Sequence, residues 1–154
     1  MCQSYILKVK ALPRVAFFVW TVALGKILTL DNLWKRRKMN IMVMEWCYIC
    51  KQCGESTDHL LLHCEVAHEL WNMFFQLFGV NWVMPWKVSD CLGSWGETGN
   101  RFVLQIRRLI PLCVMWCLWW ERNASRIVRV ACLSWRSWHS ILCVTGGASI
   151  LSTV

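Results

Sequence analysis

Acid is scarce in this sequence. Nine Asp and Glu stand against seventeen Lys and Arg, for a formal net charge of +8 over 154 residues. The only aspartates are Asp31, Asp58 and Asp90, so no adjacent pair is present to hold catalytic magnesium ions. No glycine-rich phosphate loop occurs, since Gly146-Gly147 lies in a tail of Trp, Cys, Ser and Gly. No serine sits in a glycine-flanked elbow, which leaves nucleophilic catalysis without support. Long apolar runs are missing too. The longest uncharged ones, Val15 to Gly25 and Leu109 to Trp120, have 11 and 12 residues, and a membrane span needs ~20. Charges bracket both, so buried helices are expected and no membrane span. No secretion signal is evident. The ten cysteines therefore read as reduced thiols of an intracellular chain, nuclear or cytoplasmic, and Asn123-Ala-Ser125 as a chance glycosylation sequon.

What is abundant is apolar and aromatic. The chain is 56% hydrophobic and holds 12 Trp, a composition that folds rather than stays disordered. It has room for one core. The positive charge is concentrated: residues 1–40 hold eight Lys/Arg and one Asp, and the rest hold nine Lys/Arg and eight Asp/Glu. The peak is Lys35-Arg36-Arg37-Lys38. Cys91, Cys113, Cys117 and Cys143 lie in apolar settings, where a thiol serves as a small core residue.

Periodicity and punctuation predict a mostly α chain with irregular loops. Pro13 suits a first helical turn, so a helix is expected from Arg14 to about Leu24, stopped by Gly25. Thr29 reads as the N-cap of a short helix ending near Lys38, with the basic run in its last turn. A third helix is expected from Glu65 to Phe78, with Val66, Ala67, Leu70, Trp71, Phe74, Leu77 and Phe78 on one face. A short helix follows near Lys87 to Trp95. Another runs from Phe102 to about Val128, kinked or interrupted by Pro111.

One group of residues has the spacing of a chemical site. Cys47 and Cys50 are two residues apart, and His59 and Cys64 follow after eight and four more. Three thiolates and one imidazole complete a tetrahedron around zinc, and a site with all four positions filled is structural, with no open position to activate water. Cys53 makes a second Cys-x-x-Cys with Cys50, but it falls in the polar loop Lys51–Ser56. His63, beside Cys64, is the more credible substitute for His59. His68 reads as a solvent-facing helix residue.

The chain also resembles the reverse-transcriptase zinc-binding domain of plant non-LTR (LINE-type) retrotransposons. The matching stretches are Pro13-Arg-Val-Ala-Phe-Phe-Val-Trp20, Gly25-Lys-Ile-Leu-Thr-Leu-Asp-Asn-Leu33, Cys47-x-x-Cys50, Glu55-Ser-Thr-Asp-His59-Leu-Leu-Leu-His-Cys64, Glu69-Leu-Trp71, Ile110-Pro111 and Trp116-Cys-Leu-Trp119-Trp-Glu-Arg-Asn123. The resemblance implies the zinc ligands Cys47, Cys50, His59 and Cys64, and a domain that lies beyond a polymerase in a polyprotein. It implies handling of RNA or DNA without polymerase or RNase H catalysis by this chain. The expected organisation is a zinc-binding domain over residues 8–80, a helical extension over 81–130 and a poorly specified tail over 131–154. The tail departs from the resemblance and reads as a shifted reading frame.

Function at this level is a non-catalytic zinc domain. Lys26, Lys35, Arg36, Arg37 and Lys38 are the candidates for nonspecific phosphate contact; a solvated helix end is the competing reading. Trp20, Trp34, Trp46 and Trp71 are expected in the core rather than stacked on bases. The alternatives are a protein-interaction module docking through apolar helices, for instance on the polymerase, and an inert transposon remnant.

Overall fold

A computed structural model describes residues 11–36, 46–79, 81–95 and 101–124, with side chains from 107 onward in the last stretch. The expected tail over 131–154, together with Arg37, Lys38 and Cys143, lies outside the described residues. The elements in order are α1 (Pro13–Ala23), α2 (Leu30–Lys35), a π-helical turn (His59–His63), α3 (Glu65–Leu77), α4 (Val88–Ser94) and α5 (Arg101–Asn123). Among the described residues there is no strand, only an isolated bridge between Trp46 and Gly54. The fold is mostly helical. No described helix is long and apolar enough to cross a membrane.

Helix α1 starts with proline in its first turn and buries Val15, Phe18, Val19 and Val22, spaced by three, one and three residues, which is one face of a helix. That face packs on α5, where the Phe18 ring meets Trp116 and Trp119 at centroid distances of 5.4 and 5.6 Å. Gly25 ends the segment with φ 61, a left-handed conformation that a residue with a Cβ enters at a cost. Asn32 of α2 then pins the return loop, its side-chain amide donating to the carbonyls of Gly25 and Ile27 at 3.0 and 2.9 Å. Helix α2 is shorter than the sequence suggested. It closes at Lys35 with Arg36 as its C-cap, so only Lys35 of the basic run falls in its last turn.

Helix α3 buries Ala67, Leu70, Trp71 and Phe74. Leu77, expected on the same face, is 49% exposed. At 100° per residue Leu77 lies on the edge of the stripe centred near Ala67 and Phe74, and Val66, on the same edge, is half-buried. Gly79 ends this helix with φ 56. The Trp71 indole N–H donates to the Leu61 carbonyl at 2.9 Å. Trp95 collects the aromatic side of the core, with Trp71, Phe75 and Trp82 at ring distances of 5.6, 5.9 and 5.2 Å.

Pro111 does not interrupt α5, which is continuous over Arg101–Asn123. Proline has no N–H, so the carbonyl four residues back loses its intrahelical donor. That carbonyl belongs to Arg107, and the Trp95 indole N–H takes it at 2.6 Å. An indole from the preceding helix segment thus fills the missing rung. Cys91, Cys113 and Cys117 are all buried. Burial pushes the Cys91 and Cys113 thiols up to about 12.

The tryptophans divide in a way periodicity did not anticipate. Trp71 is fully buried, but Trp34 and Trp46 are 70% and 53% exposed, and Trp20 is exposed on the outer side of α1. Helix α2 buries none of its residues fully, so it has no core face to offer Trp34. Trp46 sits in an isolated bridge with Gly54.

Candidate metal centre

The first two cysteines are set by a tight knuckle. The Trp46–Gly54 bridge closes its base. Inside it the Cys47 N–H donates to the Cys53 carbonyl at 2.5 Å, and the Lys51 N–H donates to the Cys47 carbonyl at 2.8 Å. Lys51 reverses the chain with φ 58. The third and fourth positions come from the π-helical turn. The Ser56 hydroxyl accepts the His59 N–H at 3.1 Å, and the Cys64 N–H donates to the His59 carbonyl at 2.6 Å. This i→i+5 bond closes one wide turn and returns Cys64 to the side of His59. Five residues of α-helix would leave the two about 140° apart.

The structure brings Cys47, Cys50, His59 and Cys64 together, with one ligand atom from each and all four atoms within 4.8 Å of one another. Cys47 Sγ and Cys64 Sγ are 4.0 Å apart, and Cys50 Sγ and His59 Nε2 are 3.3 Å apart. Zn–S bonds of ~2.3 Å in a tetrahedron place sulfurs about 3.8 Å from each other. The donor set and its spacing therefore fit a tetrahedral metal ion. Cys47 and Cys64 are buried and the other two half-buried.

The electrostatics favour a cation. A hydrogen bond from Cys64 holds the Cys47 thiol well below its ordinary value against the opposing effect of burial, with help from the backbone amides of Cys50 and Ile49. Cys64 moves the other way, raised first by the proton it shares with Cys47 and then by burial and the neighbouring negative charge. The amides of Val66 and Ala67, at the start of α3, partly counter this. Two thiolates at this distance repel, and a divalent cation between them removes the repulsion.

The alternative ligands lie elsewhere. Cys53 is exposed and outside the cluster. His63 Nε2 pairs with the Trp86 carbonyl at 2.9 Å, and its ring lies 5.0 Å from that of Trp86. His68 is exposed on α3, with Asn72 as partner at 3.0 Å.

Sequence reasoning missed the polar segment that leads into His59. Glu55 is 2% exposed. Its Oε1 accepts from the Leu30 N–H at 3.1 Å and its Oε2 from the Tyr48 N–H at 3.1 Å. Arg122 of α5 closes the carboxylate, with Nη2 2.7 Å and Nε 3.2 Å from Oε1. The Thr57 hydroxyl is 3.5 Å from that of Thr29. Asp58 Oδ1 accepts the Val88 N–H at 2.8 Å and so caps α4 from thirty residues away. The signal was present, because Glu55–Asp58 and Arg122 stand inside the stretches that carry the family resemblance, but no local pattern pairs them.

Of the basic candidates, Lys26, Lys35 and Arg36 are exposed. Arg36 Nη2 donates to the Lys26 carbonyl at 3.2 Å, which places the two residues side by side. Lys35 bridges Asp31 at 3.2 Å, an exposed pair of small energetic consequence.

The family model described as zinc-binding in reverse transcriptase matches residues 1–71, somewhat under half of the 154 residues. The match ends within α3 and includes every residue of the Cys/His cluster. No curated protein and no solved structure matches the chain. Residues 1–71, with their cluster of three cysteines and one histidine able to hold a metal ion, are thus similar to the reverse-transcriptase zinc-binding family.

Proposed function

We propose that the chain is a non-catalytic domain built on one structural zinc ion held by Cys47, Cys50, His59 and Cys64. The observation that carries the reading is the convergence of those four ligand atoms within 4.8 Å. When bound, the ion supplies cross-linking between the knuckle and the π-helical turn, and four protein ligands leave no open position for water activation. The protein's own contribution is to aim the ligands, with the amides beside Cys47 and Cys64 favouring their thiolate forms. The test is metal content. Purified chain should carry about one zinc per molecule, Cys47→Ser and His59→Ala should lose it, and His63→Ala should keep it. Full zinc content in Cys47→Ser overturns the assignment.

The partner we propose is nucleic acid, contacted without sequence preference beside a reverse transcriptase. Exposed Lys26, Lys35 and Arg36 support this, with Arg37 and Lys38 next in sequence and Trp34 70% exposed on the same short helix. Cations of this kind bind phosphates by releasing counterions, so affinity should fall steeply with salt. Replacing Lys35, Arg36 and Arg37 with Ala should abolish binding to a labelled RNA or DNA oligonucleotide. Binding that ignores both salt and the triple substitution rules the partner out.

A second reading has its own observation. Phe17, Trp20 and Leu24 are 65%, 38% and 46% exposed along the outer side of α1, a spacing that makes one apolar stripe. This supports docking on a protein surface such as the polymerase. Such docking would be insensitive to salt and lost in Phe17→Ser/Trp20→Ser.

A further inference from the structure

We propose that Glu55 and Arg122 are positioning residues of the metal centre, so that the centre depends on helix α5, well beyond residues 1–71. The inference rests on the zinc reading above. Tyr48 lies between the two cysteines of the knuckle, and its N–H is held by Glu55 Oε2 at 3.1 Å. The same carboxylate stands four residues before His59. It is therefore attached to the chain that supplies the third ligand while gripping the turn that supplies the first two. Its side chain is 0% exposed, and a buried carboxylate stays in place only if it is compensated. Two backbone amides give part of that, from Tyr48 and from Leu30 at the start of α2. The only cation on it among the described residues is Arg122, 67 residues away. Arg122 is itself held, with its guanidinium carbon 5.2 Å from the Trp119 ring centroid and its Nη1 donating to Asn123 Oδ1 at 3.0 Å.

Removing the guanidinium leaves an uncompensated charge directly behind the knuckle. The carboxylate must then turn toward water, which releases the Tyr48 amide and loosens the Cys47–Cys50 turn. Neutralising both partners removes the stranded charge while an amide oxygen at position 55 still accepts the Tyr48 N–H. The single variant should therefore be worse than the double. Outer partners of metal ligands typically change affinity by about 10- to 100-fold.

The experiment uses the full chain and two probes, zinc in competition with a chromophoric chelator and cobalt(II) as a spectroscopic stand-in. Arg122→Met should weaken zinc about tenfold or more and lower the visible band that reports tetrahedral cobalt. Glu55→Gln/Arg122→Met should recover most of both. Trp95→Phe serves as the structural control, since it removes a buried hydrogen bond to α5 that does not touch the knuckle. It should lower the thermal midpoint and weaken zinc much less than Arg122→Met does. Hydrogen exchange on the unmutated chain gives a readout that needs no variant: chelation should speed exchange at the Tyr48 and Leu30 amides and in the last turn of α5.

Equal weakening by Trp95→Phe and Arg122→Met overturns the proposal, because the effect is then general destabilisation. So does unchanged exchange in the last turn of α5 on chelation. A parent chain that binds neither ion overturns the zinc reading and this one together. Normal binding in Arg122→Met overturns this one alone.

Discussion

Lys51 shows what single positions contribute. Its φ of 58 puts a residue with a Cβ into the left-handed region to turn the knuckle, at a cost of about 1–2 kcal/mol. Lys51→Gly should match or exceed the parent in thermal stability with zinc content unchanged. Lys51→Val, β-branched and poorly suited to this region, should fall below it by about 1 kcal/mol or more. Thermal melts of the three proteins at one zinc concentration check the order. The buried thiols make a second residue-level prediction. Cys91 and Cys113 titrate near 9.0 when exposed and are pushed up to about 12 in the fold. Between those values the unfolded chain has released protons that the folded chain keeps, so stability should drop as pH rises from about 9 toward 12. Cys91→Ala should be less stable than the parent at pH 8 and lose less on going to about pH 10.5. Equal slopes in the two proteins would refute this.

Among the elements, α5 carries the clearest consequence. Its proline is tolerated because the Trp95 indole replaces the missing donor at the Arg107 carbonyl. A buried acceptor left unmade costs about 1–3 kcal/mol. Trp95→Phe should therefore be costly in the parent, beyond its small loss of packing. Pro111→Ala restores a backbone N–H to that carbonyl, so Trp95→Phe should cost less in the Pro111→Ala background. Denaturant melts of the four proteins measure the coupling, and additive costs would show that the indole contributes only by packing. Helix α4 has a similar dependence. Lys87 at its N-cap has no side-chain acceptor, and the free Val88 amide is met by Asp58 instead. Asp58→Ala should cost about 1 kcal/mol although it lies outside the helix it caps.

For the molecule as a whole, metal and fold are expected to be one equilibrium. Cysteine and histidine bind zinc only when deprotonated, so protons compete with the ion and affinity should fall as pH falls. Titration of zinc-loaded chain from pH 8 to 5, followed by circular dichroism and released zinc, should show both signals moving together. The reason lies in the architecture. The knuckle is closed by one isolated bridge, and Glu55 connects it to α2 and α5. Helical signal that persists unchanged after the zinc is gone would show that the core of α1, α3 and α5 stands without it.

Local rules carried far along this chain. Pro13 and Gly25 bracket α1, the apolar stripe of residues 66–78 outlines α3, and the two cysteine and histidine spacings mark a metal-ligand set. Each is set by neighbours within a turn or two, where propensity and periodicity act. What the sequence left open depends on groups that meet from far apart. His59 rather than His63 joins the cluster because a wide turn aligns it with Cys64 while Trp86 engages the other ring. Trp34 and Trp46 are exposed although their composition argued for the core, because burial depends on whether an opposing surface exists. Glu55 and Arg122 meet across 67 residues, and nothing in the local pattern of either pairs them. The residues alone therefore determined the helices and the kinds of ligand present. Only tertiary structure decided which of them converge, since convergence is set by how buried charge and backbone amides are compensated in three dimensions.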